Sequence, residues 1–148
     1  MARQCSRGFT LIELMITLVV IGVLAAIAIP SLASAIDRSK QKRTMSDMRT
    51  IGTAVEAYAV DNGNYPVATT SLGLLAAISP TYLRPISPND GWDRPYVIDA
   101  ATSAYTISSA GKDGAVSGCV IGVITTRLDQ DICFSHGQFI QYPQGPQQ

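Results

Sequence analysis

Residues 9–32 read FTLIELMITLVVIGVLAAIAIPSL, an apolar run whose only charged side chain is Glu13. The run exceeds the roughly 20 residues that carry an α-helix across the hydrocarbon core of a bilayer, so it reads as a membrane-spanning helix. Arg3 and Arg7 stand just ahead of it and place the N-terminus on the cytoplasmic side by the positive-inside rule, while Arg38, Lys40, Lys42 and Arg43 beyond the run oppose that assignment. A secretory signal peptide competes, with Ala33-Ser34-Ala35 as a small-residue cleavage site. Against it, the run outlasts the usual apolar region of about 7–15 residues and carries an acid near its start.

Glu13 narrows the function. A charged side chain deep in a bilayer costs about 2.5–3.5 kcal/mol even on the mildest insertion scale, so it normally has a partner. A cut between Gly8 and Phe9 would create an α-amino group one helical turn from Glu13, about 6 Å along the axis. The two can pair within one chain. Where copies stack with an axial shift, Glu13 of one can instead meet the amine of the next. A carboxylate that snorkels to the interface or stays protonated is the remaining alternative.

After Pro30 the pattern turns amphipathic: Met45, Met48, Ile51, Val55 and Tyr58 recur at steps of three and four among charged residues, so the helix continues into water with a stripe that needs a cover. It should end near Asp61-Asn62-Gly63-Asn64. Residues 71–79, SLGLLAAIS, read as a short helix with Ser71 as N-cap, and Pro80, Pro85 and Pro88 then hold an extended loop. Residues 96–99 and 105–109 form a predicted hairpin, and residues 138–142 a third strand. The expected fold is therefore α+β: a long N-terminal helix, transmembrane and then amphipathic, packed against a small antiparallel sheet. The organisation that follows is a basic leader (1–8), a transmembrane segment (9–36) and a head (37–148).

A chain of 148 residues, less a membrane segment, has room for one head domain. Its 11 basic and 11 acidic side chains cancel, and without a basic excess nucleic acid is not an expected partner. His136, the one histidine, sits in Ser135-His136-Gly137, a turn setting, and no nucleophile elbow, phosphate loop, dinucleotide fingerprint or clustered zinc pattern accompanies it. The chain does not read as an enzyme. Cys5 lies in the leader, which leaves Cys119 and Cys133 as an even pair. Outside the cytoplasm they can close a loop of about 15 residues, worth roughly 3 kcal/mol; in a reducing compartment they stay two thiols.

Arg7-Gly8-Phe9-Thr10-Leu11-Ile12-Glu13-Leu14 closely resembles the class III signal of type IV pilins and type II secretion pseudopilins. The resemblance implies that a prepilin peptidase cuts after Gly8, that Phe9 is N-methylated, and that Glu13 guides assembly into a homopolymeric filament. Gly22 and Pro30 fall where such helices loosen or kink. Pro88-Asn89-Asp90-Gly91-Trp92-Asp93-Arg94-Pro95-Tyr96 resembles a stretch of the major pseudopilins, the protein G group, with Asp93 standing where that group usually has glycine. Gly111-Lys112-Asp113-Gly114 and Asp129-Gln130-Asp131-Ile132 resemble the elements of that group's calcium loop. Asp113 and Asp131 match by position and Asp129 is a neighbour, and calcium needs six to eight oxygens. Loop aspartates in Asx turns without metal are the alternative, and the disulfide can either replace the ion or accompany it.

The resemblance implies a single-pass protein of the bacterial inner membrane with a periplasmic head, working with minor pseudopilins and an inner-membrane assembly platform as a piston for protein export. A type IV pilin for adhesion or motility is the near alternative, favoured by the cysteine pair. An exported calcium-binding or hydrolytic domain on an uncleaved anchor is the distant one.

Overall fold

The structure, a computed structural model, describes residues 8–145 and residue 147; Arg3, Cys5 and Arg7 of the basic leader lie outside the described residues. It divides into two compact units, one ending at Ile36 and the other beginning at Asp37.

The first unit is built on the opening turns of α1 (Leu11–Asn62). This stretch is helical through Gly22 and Pro30, so neither the weak helix former nor the missing proline N–H interrupts it. Leu14, Met15 and Ile16 are each 58% exposed, and because consecutive helical residues point about 100° apart, they mark a helix apolar on every side.

The second unit uses the remainder of α1 as its spine. Gln41, Thr44, Met48, Ile51, Gly52, Ala54 and Val55 are buried, the three- and four-residue steps of one helix face. Gly52 is required at its place, because the ring of Phe134 fills the space a Cβ would occupy. The helix ends at Asn62, and Gly63 turns the chain in the left-handed region (φ 74°).

Seven further elements follow: β1 (Ala68–Thr70), α2 (Ser71–Ile78), β2 (Val97–Ala101), β3 (Ala104–Ser109), β4 (Val123–Thr125), β5 (Ile132–Ser135) and β6 (Gln138–Pro143). They form one six-stranded sheet in the order β1-β2-β3-β5-β6-β4. The core lies between sheet and helix, where Met48, Ile51 and Val55 share a cluster with Leu74, Ile107 and Phe134. The α+β architecture matches the expectation from sequence, with two corrections. The sheet is mixed rather than antiparallel, because β4 pairs parallel to β6. The residues before β4 carry the chain past β5 and β6 to the outer edge, and three residues of strand announce no such crossover. The cap of α2 is Thr70, not Ser71: Thr70 Oγ1 accepts the Gly73 N–H at 3.1 Å, and Ser71 is already helical and buried.

Asp90 organises the loop between α2 and β2. It is 2% exposed, its Oδ1 accepts the N–H groups of Trp92 and Arg94 at 2.9 and 3.0 Å, and its Oδ2 accepts the Ser109 hydroxyl at 2.7 Å. The same loop docks on α1, where Thr44 Oγ1 accepts the Gly91 N–H at 2.9 Å. Asp93 adopts a left-handed conformation (φ 66°), so the turn keeps a shape that suits glycine. Asp93→Gly is therefore expected to stabilise the head by about 0.5–1 kcal/mol, a rise of a few degrees in melting temperature. A fall in calorimetry would mean that the Asp93 side chain contributes more than the relieved strain.

Candidate functional site

Two regions carry the residues singled out by sequence. At the N-terminus, Thr10 is the N-cap of α1. Glu13 Oε2 accepts the Thr10 backbone N–H at 2.8 Å and its hydroxyl at 2.9 Å, while Thr10 Oγ1 accepts the Glu13 N–H at 3.3 Å. This is a reciprocal capping box. The pattern T-L-I-E was legible, yet reading Glu13 as a charge within the membrane passed over Thr10. In the chain still joined through Gly8, the carboxylate thus has local donors. Phe9 is 86% exposed.

The second region is the segment between β3 and β5. Cys119 and Cys133 are joined in a disulfide, with Cα atoms 5.9 Å apart. Cys133 is buried in β5 and Cys119 is exposed, so the bond ties a surface loop to the centre of the sheet. Asp131 fastens the same loop from inside: 1% exposed, its Oδ2 accepts the N–H groups of Ser117 at 2.6 Å and Gly118 at 3.0 Å. Gln141 of β6, which sequence reasoning missed, completes the hold. Its Oε1 accepts the Val120 N–H at 2.8 Å and its Nε2 donates to the Asp131 carbonyl at 3.0 Å. A glutamine in an alternating strand carries no signal of that role. Asp113 makes an Asx turn, its Oδ1 accepting the Ala115 N–H at 3.0 Å.

As placed, these residues do not make a calcium cage. Asp129 turns to Arg127, whose Nε and Nη2 donate to its carboxylate at 3.1 and 2.6 Å. That guanidinium shares a polar cavity of about 250 Å³ with Asp131 and would repel a cation there. Asp131 Oδ1 is buried without a hydrogen-bond partner, and calcium takes six to eight oxygens. Among the described residues no group of three or more His, Cys, Asp or Glu side chains is disposed to hold a metal ion.

Burial raises the Asp131 carboxyl above the usual carboxylate range; the Ser117 and Gly118 N–H groups oppose this, and the Asp113 charge adds to it. For an acid whose folded-state value is raised, the penalty is absent where both states are protonated and grows as pH rises through the folded-state value. Asp131→Asn, which keeps an oxygen for the two N–H groups, should therefore raise the melting temperature of the head at neutral pH and leave it unchanged near pH 3. The same melts in calcium and in chelator should coincide. An upward shift with calcium, lost in Asp131→Asn, would restore the ion to this loop.

His136 occupies the β5–β6 turn in a left-handed conformation (φ 48°), its Nδ1 2.8 Å from the Ser135 hydroxyl. Beneath it the Tyr105 hydroxyl donates to Glu56 Oε1 at 2.9 Å and the Tyr65 hydroxyl to Oε2 at 3.1 Å, tying α1 to the sheet. Trp92 is half-buried, and Asp90 holds its backbone in the docking loop.

Comparison with known proteins agrees with these features. Residues 3–29 match the prokaryotic N-terminal methylation motif, and residues 31–122 match the family described as type II secretion system (T2SS), protein G. The second match stops inside the stapled loop, before Asp129, Asp131 and Cys133. A type II secretion system core protein G of Klebsiella michiganensis is 34% identical over 119 residues, 78% of this chain and 82% of the relative. That of Escherichia coli is 34% identical over 127 residues, covering 76% and 86%, and that of Pseudomonas aeruginosa 33% over 133 residues, covering 80% and 92%. No solved structure matches the chain. With the methylation motif, the apolar helix it includes and relatives matched over most of their length, this chain belongs to the type II secretion system protein G family.

Proposed function

We propose that this chain is the structural subunit of a helical pseudopilus, the major pseudopilin of a type II secretion system, and that subunit addition drives protein export as a piston. One observation carries the reading: an apolar stretch of helix, long enough to cross a membrane, lies for most of its length within the match to the methylation motif and holds Glu13 as its single charge. Such a surface is stable in lipid or against other copies of itself, and not in water. The division of the chain at Ile36 and Asp37 supports a filament-core segment (9–36) and a head (37–148), preceded by a leader (1–8) that is removed.

In this reading a prepilin peptidase cuts between Gly8 and Phe9 and methylates the new amine. The subunit waits in the inner membrane with its head on the periplasmic side, and an inner-membrane platform with minor pseudopilins passes it into the filament. Leaving lipid for a neighbouring helix brings little net hydrophobic gain, so close packing and the pairing of Glu13 with the Phe9 amine set the register. The role is mechanical, with no catalytic step. The disulfide, aided by Asp131 and Gln141, is the staple of the C-terminal loop.

The test is intact mass and N-terminal sequence of the protein from membranes that also contain a prepilin peptidase. A chain beginning at Phe9 with one added methyl is the expected result. An N-terminus at Met1, or after Ala35, would replace the filament reading with the anchored or the secreted one.

A further inference from the structure

We propose that a groove beside Arg38 and Lys42 binds the phosphate of an anionic phospholipid headgroup, holding the head at the membrane surface before assembly. The inference rests on the reading of residues 9–32 as a membrane anchor.

The charges following the apolar run are not equivalent. Asp37 pairs with Lys112 at 2.7 Å, and Arg43 lies 3.5 Å from Asp47. Among the described residues no carboxylate comes within ion-pair distance of Arg38 or Lys42. These two stand one turn apart on α1, where like charges repel and weaken a helix. Both are exposed and both line a cavity of about 340 Å³. Buried Gln41 and Gln147 also line it, linked Nε2 to Oε1 at 3.4 Å, and Met45 and Pro143 add apolar wall. Gln147 is itself anchored, donating to the Thr125 carbonyl at 3.1 Å. The cavity therefore offers two cations that pair with no carboxylate among the described residues, beside apolar surface, a combination suited to a phosphate that carries hydrocarbon.

Position selects the lipid over other anions. Arg38 lies six residues beyond Leu32, the end of the apolar run, about 9 Å of helix and no more than about 21 Å of chain in any conformation. Headgroup layers occupy the outer several ångströms of a bilayer, and long basic side chains reach toward them. Basic residues next to a membrane segment are drawn to anionic lipid, with each residue adding to the attraction.

The experiment uses the full-length chain. Flotation with phosphatidylcholine vesicles tests the anchor alone, and a chain that does not float removes the anchored reading and this inference with it. Native mass spectrometry from detergent then compares retained phosphatidylglycerol with phosphatidylcholine. We expect at least ~5-fold preference for phosphatidylglycerol, falling to parity in Arg38→Ala/Lys42→Ala and kept in Arg38→Lys and in Arg84→Ala, an exposed cation that does not line the groove. A chain that floats but retains both lipids equally keeps its anchor and overturns the groove assignment, as does a preference that survives the double substitution. Lost filaments in the double variant without any lipid preference would assign the groove to a carboxylate of a second copy and also overturn it.

Discussion

Glu13→Ala is expected to leave the chain inserted and cleaved and to reduce filament yield at least ~100-fold, because in the proposed filament its carboxylate, the one charge in the apolar run, pairs with a neighbour's amine. The capping box adds a control. In the uncleaved chain the carboxylate is already held by Thr10, through its N–H at 2.8 Å and its hydroxyl at 2.9 Å. Glu13→Ala therefore removes a cap as well as a charge. Thr10→Ala removes the side-chain part of the cap, about 1 kcal/mol, and keeps the carboxylate. If pairing between copies is what matters, Thr10→Ala makes filaments near the normal level while Glu13→Ala makes none, as measured by sheared-filament immunoblot against total protein. Equal loss in both variants would reduce Glu13 to a helix cap. Normal filaments from Glu13→Ala would sink the pairing argument altogether.

Reducing the Cys119–Cys133 disulfide is expected to lower the melting temperature of the head by roughly 10–15 °C. Closing a loop of about 15 residues removes about 3 kcal/mol of denatured-chain entropy, and for a domain of this size each kcal/mol moves the midpoint by about 4 °C. The segment that enters the loop, residues 113–120, is exposed and held inward through Asp131 and Gln141. Cys119→Ala should reproduce the effect of reductant without placing a new polar group in the core, and reductant should then do nothing further to that variant. A shift below about 2 °C would mean that the hydrogen bonds of Asp131 and Gln141 suffice, within the error of a single loop-closure estimate.

The membrane segment, the amphipathic stripe and the β2–β3 hairpin were legible because each is a pattern along one dimension. A bilayer tests length and apolarity, a helix face recurs every 3.6 residues, and a half-buried strand alternates. Strand β2 shows that alternation, with Ile98 and Ala100 buried and Val97 and Asp99 exposed. Strand β5 does not, since its four residues are all buried, and it went unread for that reason. The three-residue strands β1 and β4 were too short to carry a period.

The candidate loop divides in the same way. Asp129 and Asp131 stand two residues apart and look alike in sequence, yet one meets Arg127 at the surface and the other is sealed beneath Ser117 and Gly118. Their difference is one of burial, which depends on where β5 enters the sheet. By itself the sequence determined that this chain has an apolar helix of membrane-spanning length with one charge in it, followed by a small α+β head, because those properties follow from local composition and period. Only the tertiary structure decided that β4 lies parallel at the far edge, that Asp131 accepts the backbone N–H groups of Ser117 and Gly118, and that among the described residues no carboxylate pairs with Arg38 or Lys42. Those outcomes depend on which distant residues arrive at the same place, and pairwise contact across the sheet leaves no periodic trace in the chain.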